Sequence, residues 1–82
     1  MAKKAETMIR VNIKLVGLFS TSRFRQKDCS CLDGARVKDV IEELQIPLGL
    51  LGIVLINGIH ADIDGPLKDE DDLVLLPLLD GG

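Results

Sequence analysis

Gly81 and Gly82 close the sequence, and they are the residues whose type and position best suit chemistry. A C-terminal α-carboxyl has an ordinary pKa of about 3.5, so on Gly82 it is ionised at neutral pH and is an oxygen nucleophile toward an activated phosphate. If a partner supplied ATP, attack on the α-phosphate would give an acyl-adenylate that a sulfur or nitrogen nucleophile could displace. Two residues without side chains can thread a narrow channel and take backbone angles closed to other residues. The plain alternative is an inert stub that ends in Gly-Gly by accident. Against it stands the setting, since only Leu78, Leu79 and Asp80 separate the glycines from Pro77 and an apolar run.

The remaining candidates are poorer. Cys29 and Cys31 are the two cysteines and His60 the one histidine, whereas structural zinc and iron–sulfur clusters typically take four ligands. No metal site is expected, and the thiols read as reduced and incidental. His60 has only Asp62 near it in sequence and reads as a surface residue. Asp69, Glu70, Asp71 and Asp72 lack a glycine-bearing calcium loop and read as a solvated turn. No phosphate-cradling loop is present, and Gly49 and Gly52 do not fit a dinucleotide fingerprint. The expectation is a chain with no catalytic residues and no bound cofactor of its own.

These residues need elements to hold them. "IRVNIKL" alternates, with Ile9, Val11, Ile13 and Leu15 on one face, and predicts a half-buried strand. "FSTSRFR", Phe19 to Arg25, predicts a turn, and "QKDCSCL" gives a weak strand signal. Val37, Val40, Ile41 and Leu44 recur at helical spacing and predict an amphipathic helix of about three turns, N-capped by Asp33, stapled by Leu32 against Val37 and closed by Pro47. Ile53 to Ile56 is apolar on both faces and predicts a strand inside the sheet. Asn57-Gly58 predicts a type I′ hairpin, returning with Ile59, Ala61 and Ile63 inward. Gly65-Pro66 breaks that strand, and Leu73 to Leu76 predicts a last one, ended by Pro77. One mixed sheet with one helix across it is the economical two-layer α+β solution.

Composition sets the outer limits. Eighty-two residues make one domain, 1–82, with 77–82 as a flexible functional tail. A net charge of −3 favours neither nucleic acid nor an acidic membrane and suits a basic partner surface better. No apolar run is long enough to span a membrane, and "MAKKAET" lacks a signal peptide's apolar segment, so the expected location is cytoplasmic.

"IVLINGIHAD" followed by "PLKDEDDLVLLPLLDGG" resembles the ubiquitin-like sulfur carriers, the small subunit of molybdopterin synthase and the thiamine sulfur carrier. The resemblance implies a ubiquitin-like β-grasp fold. It also implies that an adenylating enzyme of the ubiquitin-activating type charges Gly82 and that a sulfur donor converts it to a thiocarboxylate. Gly81 would give access, with ATP and sulfur arriving through partners and Leu76, Pro77, Leu78 and Leu79 docking the tail. The sulfur would go to a molybdopterin synthase large subunit, for molybdopterin or tungstopterin, or to a thiazole synthase; the chain's length leans to the former. A protein modifier joined to lysine through the same Gly82, and a plain interaction domain with an inert tail, are the alternatives.

Overall fold

The alternation in the first apolar run places a strand where it predicts one. In the computed structural model, which describes residues 7–21 and 23–78, β1 spans Met8–Leu15 with Ile9, Val11, Ile13 and Leu15 buried. β2, Gln26–Leu32, is a full strand despite its weak signal. It pairs antiparallel to β1 with Val11 opposite Cys29 and Ile9 opposite Cys31, which turns both thiols toward the core side. Between these strands the chain makes a 3-10 turn at Gly17–Ser20, ahead of the expected turn, and Phe19 is fully buried there. Arg23 ties this segment to the helix, donating to the carbonyls of Phe19, Leu44 and Gln45 at 3.2, 3.0 and 3.2 Å.

The helix α1, Val37–Glu43, has about two turns rather than three. Asp33 is not its cap. The N-cap is Arg36, and the first N–H groups are taken by backbone carbonyls instead of a side chain: Val37 donates to Gly65 and Lys38 to Ile63. Asp39 accepts from the Arg36 N–H at 2.8 Å. At the other end Gln45 adopts φ +58°, and the Gln45 and Ile46 N–H groups bond back to Glu42 and Ile41. This left-handed stop closes the helix before Pro47, which opens a second 3-10 turn at Leu48–Leu50.

Three strands complete the sheet: β3, Leu51–Ile56; β4, Ile59–His60; and β5, Asp71–Pro77. The order is β2-β1-β5-β3-β4, with β5 parallel to β1 and the other pairs antiparallel. Val37, Val40 and Ile41 of α1 share one core with Val11, Ile13, Leu73 and Leu75 of β1 and β5. Asn57 and Gly58 take φ +54° and +83°, as the expected hairpin turn requires.

The hairpin returns for only two residues, and Ile59 is 71% exposed rather than inward. Ala61 and Ile63 do pack on the core; the Ala61 N–H still bonds to the Val54 carbonyl of β3 at 2.9 Å, and the chain then leaves the sheet so that Ile63 and Gly65 supply the carbonyls that receive the helix N-terminus. The acidic turn is not wholly solvated either. Asp71 is buried, accepting from the Lys68 N–H at 2.8 Å and from Asn57 Nδ2 at 2.9 Å, while Asn57 Oδ1 receives the Asp72 N–H at 2.9 Å. Two side chains thus splice the hairpin to the start of β5.

Candidate functional site

β5 is the central strand, so whatever follows Pro77 leaves from the middle of the sheet. The exit is narrow. Val16 donates to the Leu75 carbonyl at 3.2 Å, the last bond on the β1 side. On the other side Leu76 faces Ile53 and Pro77 faces Leu51, with a register shift between them that contains Gly52. A Cβ on Gly52 would lie 2.9 Å from the Pro77 carbonyl oxygen and 3.0 Å from the Leu78 N and Cα, so only glycine admits the exiting backbone this closely. Pro77 brings no N–H, and the next donor, Leu78, bonds to the Leu50 carbonyl at 2.7 Å. Opposite, Gly17 at φ +61° lies against the Pro77 ring. The tail therefore starts from a fixed point, built by Leu50, Gly52 and the Val16-Gly17 turn.

An apolar surface adjoins that point. The face of the sheet away from α1 divides in two: Asn12, Gln26 and Asp28 on β1 and β2 are hydrogen-bonded to one another, while Val74, Leu76, Ile53 and Leu55 form an apolar strip on β5 and β3. Ile53 is 39% exposed and the other three half-buried, and among the described residues no element covers them. β3 is consequently not enclosed on both faces as its composition predicts. It is flanked by β4 only at Leu55 and Ile56, and its second apolar face is open.

Of the residues expected to dock the tail, Leu76 belongs to this strip, Pro77 is half-buried in the exit and Leu78 is 57% exposed just beyond it. Leu79, Gly81 and Gly82 lie outside the described residues. Sequence reasoning missed Gly52, Leu50, Ile53, Leu55 and Val74. A glycine inside an apolar strand run is a signal of close backbone approach, and a strand apolar on both faces can signal a partner as well as a second layer.

The other candidates are dispersed. His60 is exposed, opposite Leu55. Cys29 and Cys31 are free and half-buried, and burial pushes both thiols above their ordinary range; for Cys31 the neighbouring Cys29, Glu43 and Asp39 add to the effect. Among the described residues no three His, Cys, Asp or Glu side chains converge as metal ligands, and no helix is long and apolar enough to cross a membrane.

The arrangement of strands and helix recurs in solved structures. A molybdopterin converting factor subunit 1 from Pyrococcus furiosus, so described provisionally, superposes with a TM-score of 0.71 at 23% identity, over 87% of this chain and 99% of that one. Small archaeal modifier protein 1 from Haloferax volcanii gives 0.71 at 20% identity, over 87% and 99%. A chain from the complex of subunits 1 and 2 of the Helicobacter pylori molybdopterin-converting factor gives 0.60 at 24% identity, over 93% and 100%. The fold is the ubiquitin-like β-grasp. No protein-family model and no curated relative matches the sequence of this β-grasp domain. At these identities the likeness is one of architecture, and function has to be argued from the site.

Proposed function

We propose that this β-grasp domain is a sulfur carrier: a protein substrate, without catalytic activity of its own, whose Gly82 carboxylate is activated and charged by partner enzymes. The observation that carries this reading is the exit. The central strand ends at a point fixed by the Leu78–Leu50 hydrogen bond and the bare Cα of Gly52, beside an uncovered apolar strip, and the residues that follow lead directly to Gly81 and Gly82. A substrate of this kind needs those two features together, a handle to be held by and a slender end to be inserted.

In the proposed sequence an adenylating enzyme binds the strip formed by Ile53, Leu55, Val74 and Leu76, and the Gly82 carboxylate attacks the α-phosphorus of ATP with loss of pyrophosphate. A sulfur donor then displaces AMP, and the resulting thiocarboxylate gives its sulfur to an acceptor synthase, molybdopterin synthase by preference. The architectural likeness to molybdopterin converting factor chains supports that preference. An equal likeness to a small archaeal modifier protein supports a second reading, in which the adenylate is taken by a lysine amine to give an isopeptide.

Intact mass measured on protein isolated from its native host tests the proposal. Expected is a species with Gly82 as its last residue, heavier by the replacement of one oxygen with sulfur. Conjugates of higher mass without that species support the modifier; an unmodified mass under conditions of cofactor demand, with no conjugates, overturns both.

A further inference from the structure

We propose that the open edge of β2, together with the groove between β2 and α1, receives an extended peptide segment of a partner protein, apolar at alternate positions and flanked by Lys or Arg, which adds to the sheet as a further strand. This surface is separate from the tail exit, since β1 and β5 lie between β2 and β3.

Three observations converge on it. The first is the edge itself. β2 ends the sheet, and among the described residues no strand pairs with its far side. The Leu15 N–H bonds to the Arg25 carbonyl and the Asp33 N–H to the Thr7 carbonyl, both at 2.8 Å, so the odd positions of β2 bond to β1. Alternation then leaves the N–H and C=O groups of Asp28 and Ser30 pointing outward, a template for another backbone.

The second is what lies beside the edge. A groove of about 560 Å³ runs between β2 and α1 with Cys31, Ala35 and Val40 in its floor, and it continues past Cys29 toward Leu44. A strand added to β2 would place every second side chain over this groove. Burial holds both thiols in the neutral form, which keeps the floor apolar.

The third is charge. Asp33, Asp39 and Glu43 stand along the rim. The nearest cation on β2, Lys27, lies at the far end of the groove with its Nζ 5.7 Å from the centre of the Phe24 ring. Cationic flanks on the incoming segment would meet the three carboxylates. A second copy of this chain, paired edge to edge, would instead bring two acidic rims together.

The test uses labelled full-length protein and two blocked synthetic peptides that share an alternating Val-Thr core, one flanked by lysines and one by glutamates. With the lysine peptide, the amides of Asp28 and Ser30 are expected to gain protection from solvent exchange and those from Val40 to Glu43 to shift, while the glutamate peptide binds about tenfold or more weakly. Ser30→Pro removes an outward N–H and leaves the Cys29 and Cys31 bonds to β1, so it should abolish binding. Glu43→Lys alters only a rim charge at an exposed site and should weaken it about threefold or more. The proposal is overturned if the lysine peptide does not bind, if both peptides bind equally, or if shifts are confined to the Val74 and Leu76 face. Protection of Asp28 and Ser30 that grows with protein concentration in the absence of peptide would equally overturn it, since a second copy would then hold the edge.

Discussion

Gly52 has no side chain, and that lack shapes the path of the chain's end. Adding one carbon there drives it against the Pro77 carbonyl oxygen and the Leu78 backbone, which must shift and loosen the bond from Leu78 to Leu50. A displacement of this kind in a group that must reach a distant reaction centre can cost about a hundredfold in rate. Gly52→Ala is therefore expected to slow adenylation of Gly82 by that order, read by pyrophosphate exchange with an adenylating partner, while the amide shifts of β1 and β2 stay in place. The thiols make a different expectation at the same scale. Their folded-state pKa values are raised, so they stabilise the fold below the ordinary thiol range, and that stability is lost as pH climbs through the raised values. The chain has no tyrosine, which leaves the thiols as the first side chains to ionise on the alkaline side. The urea midpoint should fall from about pH 8.5 upward in the native protein and fall less in the Cys29→Ser, Cys31→Ser double variant.

At the scale of elements, two joints hold the frame. The stop of α1 at Gln45 puts a residue with a Cβ at φ +58°, where glycine is at ease. Gln45→Gly should raise stability by about 0.5–1 kcal/mol, seen as a higher urea midpoint with an unchanged slope. The splice between hairpin and last strand works the other way. Asp71→Ala leaves the Lys68 N–H and the Asn57 amide without their acceptor in a part-buried place, and a loss of about 2 kcal/mol is expected by denaturation. The stop at Gln45 is local but carries no glycine to announce it. The splice and the start of α1 were hidden for another reason: Asn57 is 14 residues from Asp71, and the helix's first N–H groups are received by the distant carbonyls of Ile63 and Gly65.

For the molecule as a whole, the role proposed for Gly82 beyond an anchored frame makes the last prediction. Residues beyond Leu78 follow the strand that closes the core, so removing Gly82, or adding one residue after it, should leave the urea midpoint unchanged and abolish thiocarboxylate formation in an intact-mass assay. The sequence by itself determined the strand face of Ile9 to Leu15, the presence of a last strand at Leu73 to Leu76, the helix core positions Val37, Val40 and Ile41, the Asn57-Gly58 turn and the Gly81-Gly82 pair. Each follows from periodicity or from the backbone freedom of one residue, and neither needs knowledge of distant neighbours. Tertiary structure alone decided that β5 lies at the centre, that β3 keeps one apolar face open and that Gly52 sits under the exit. Those are facts of strand order and of backbone approach between segments some 25 residues apart, as from Gly52 to Pro77, and a one-dimensional pattern carries no information on which strands become neighbours.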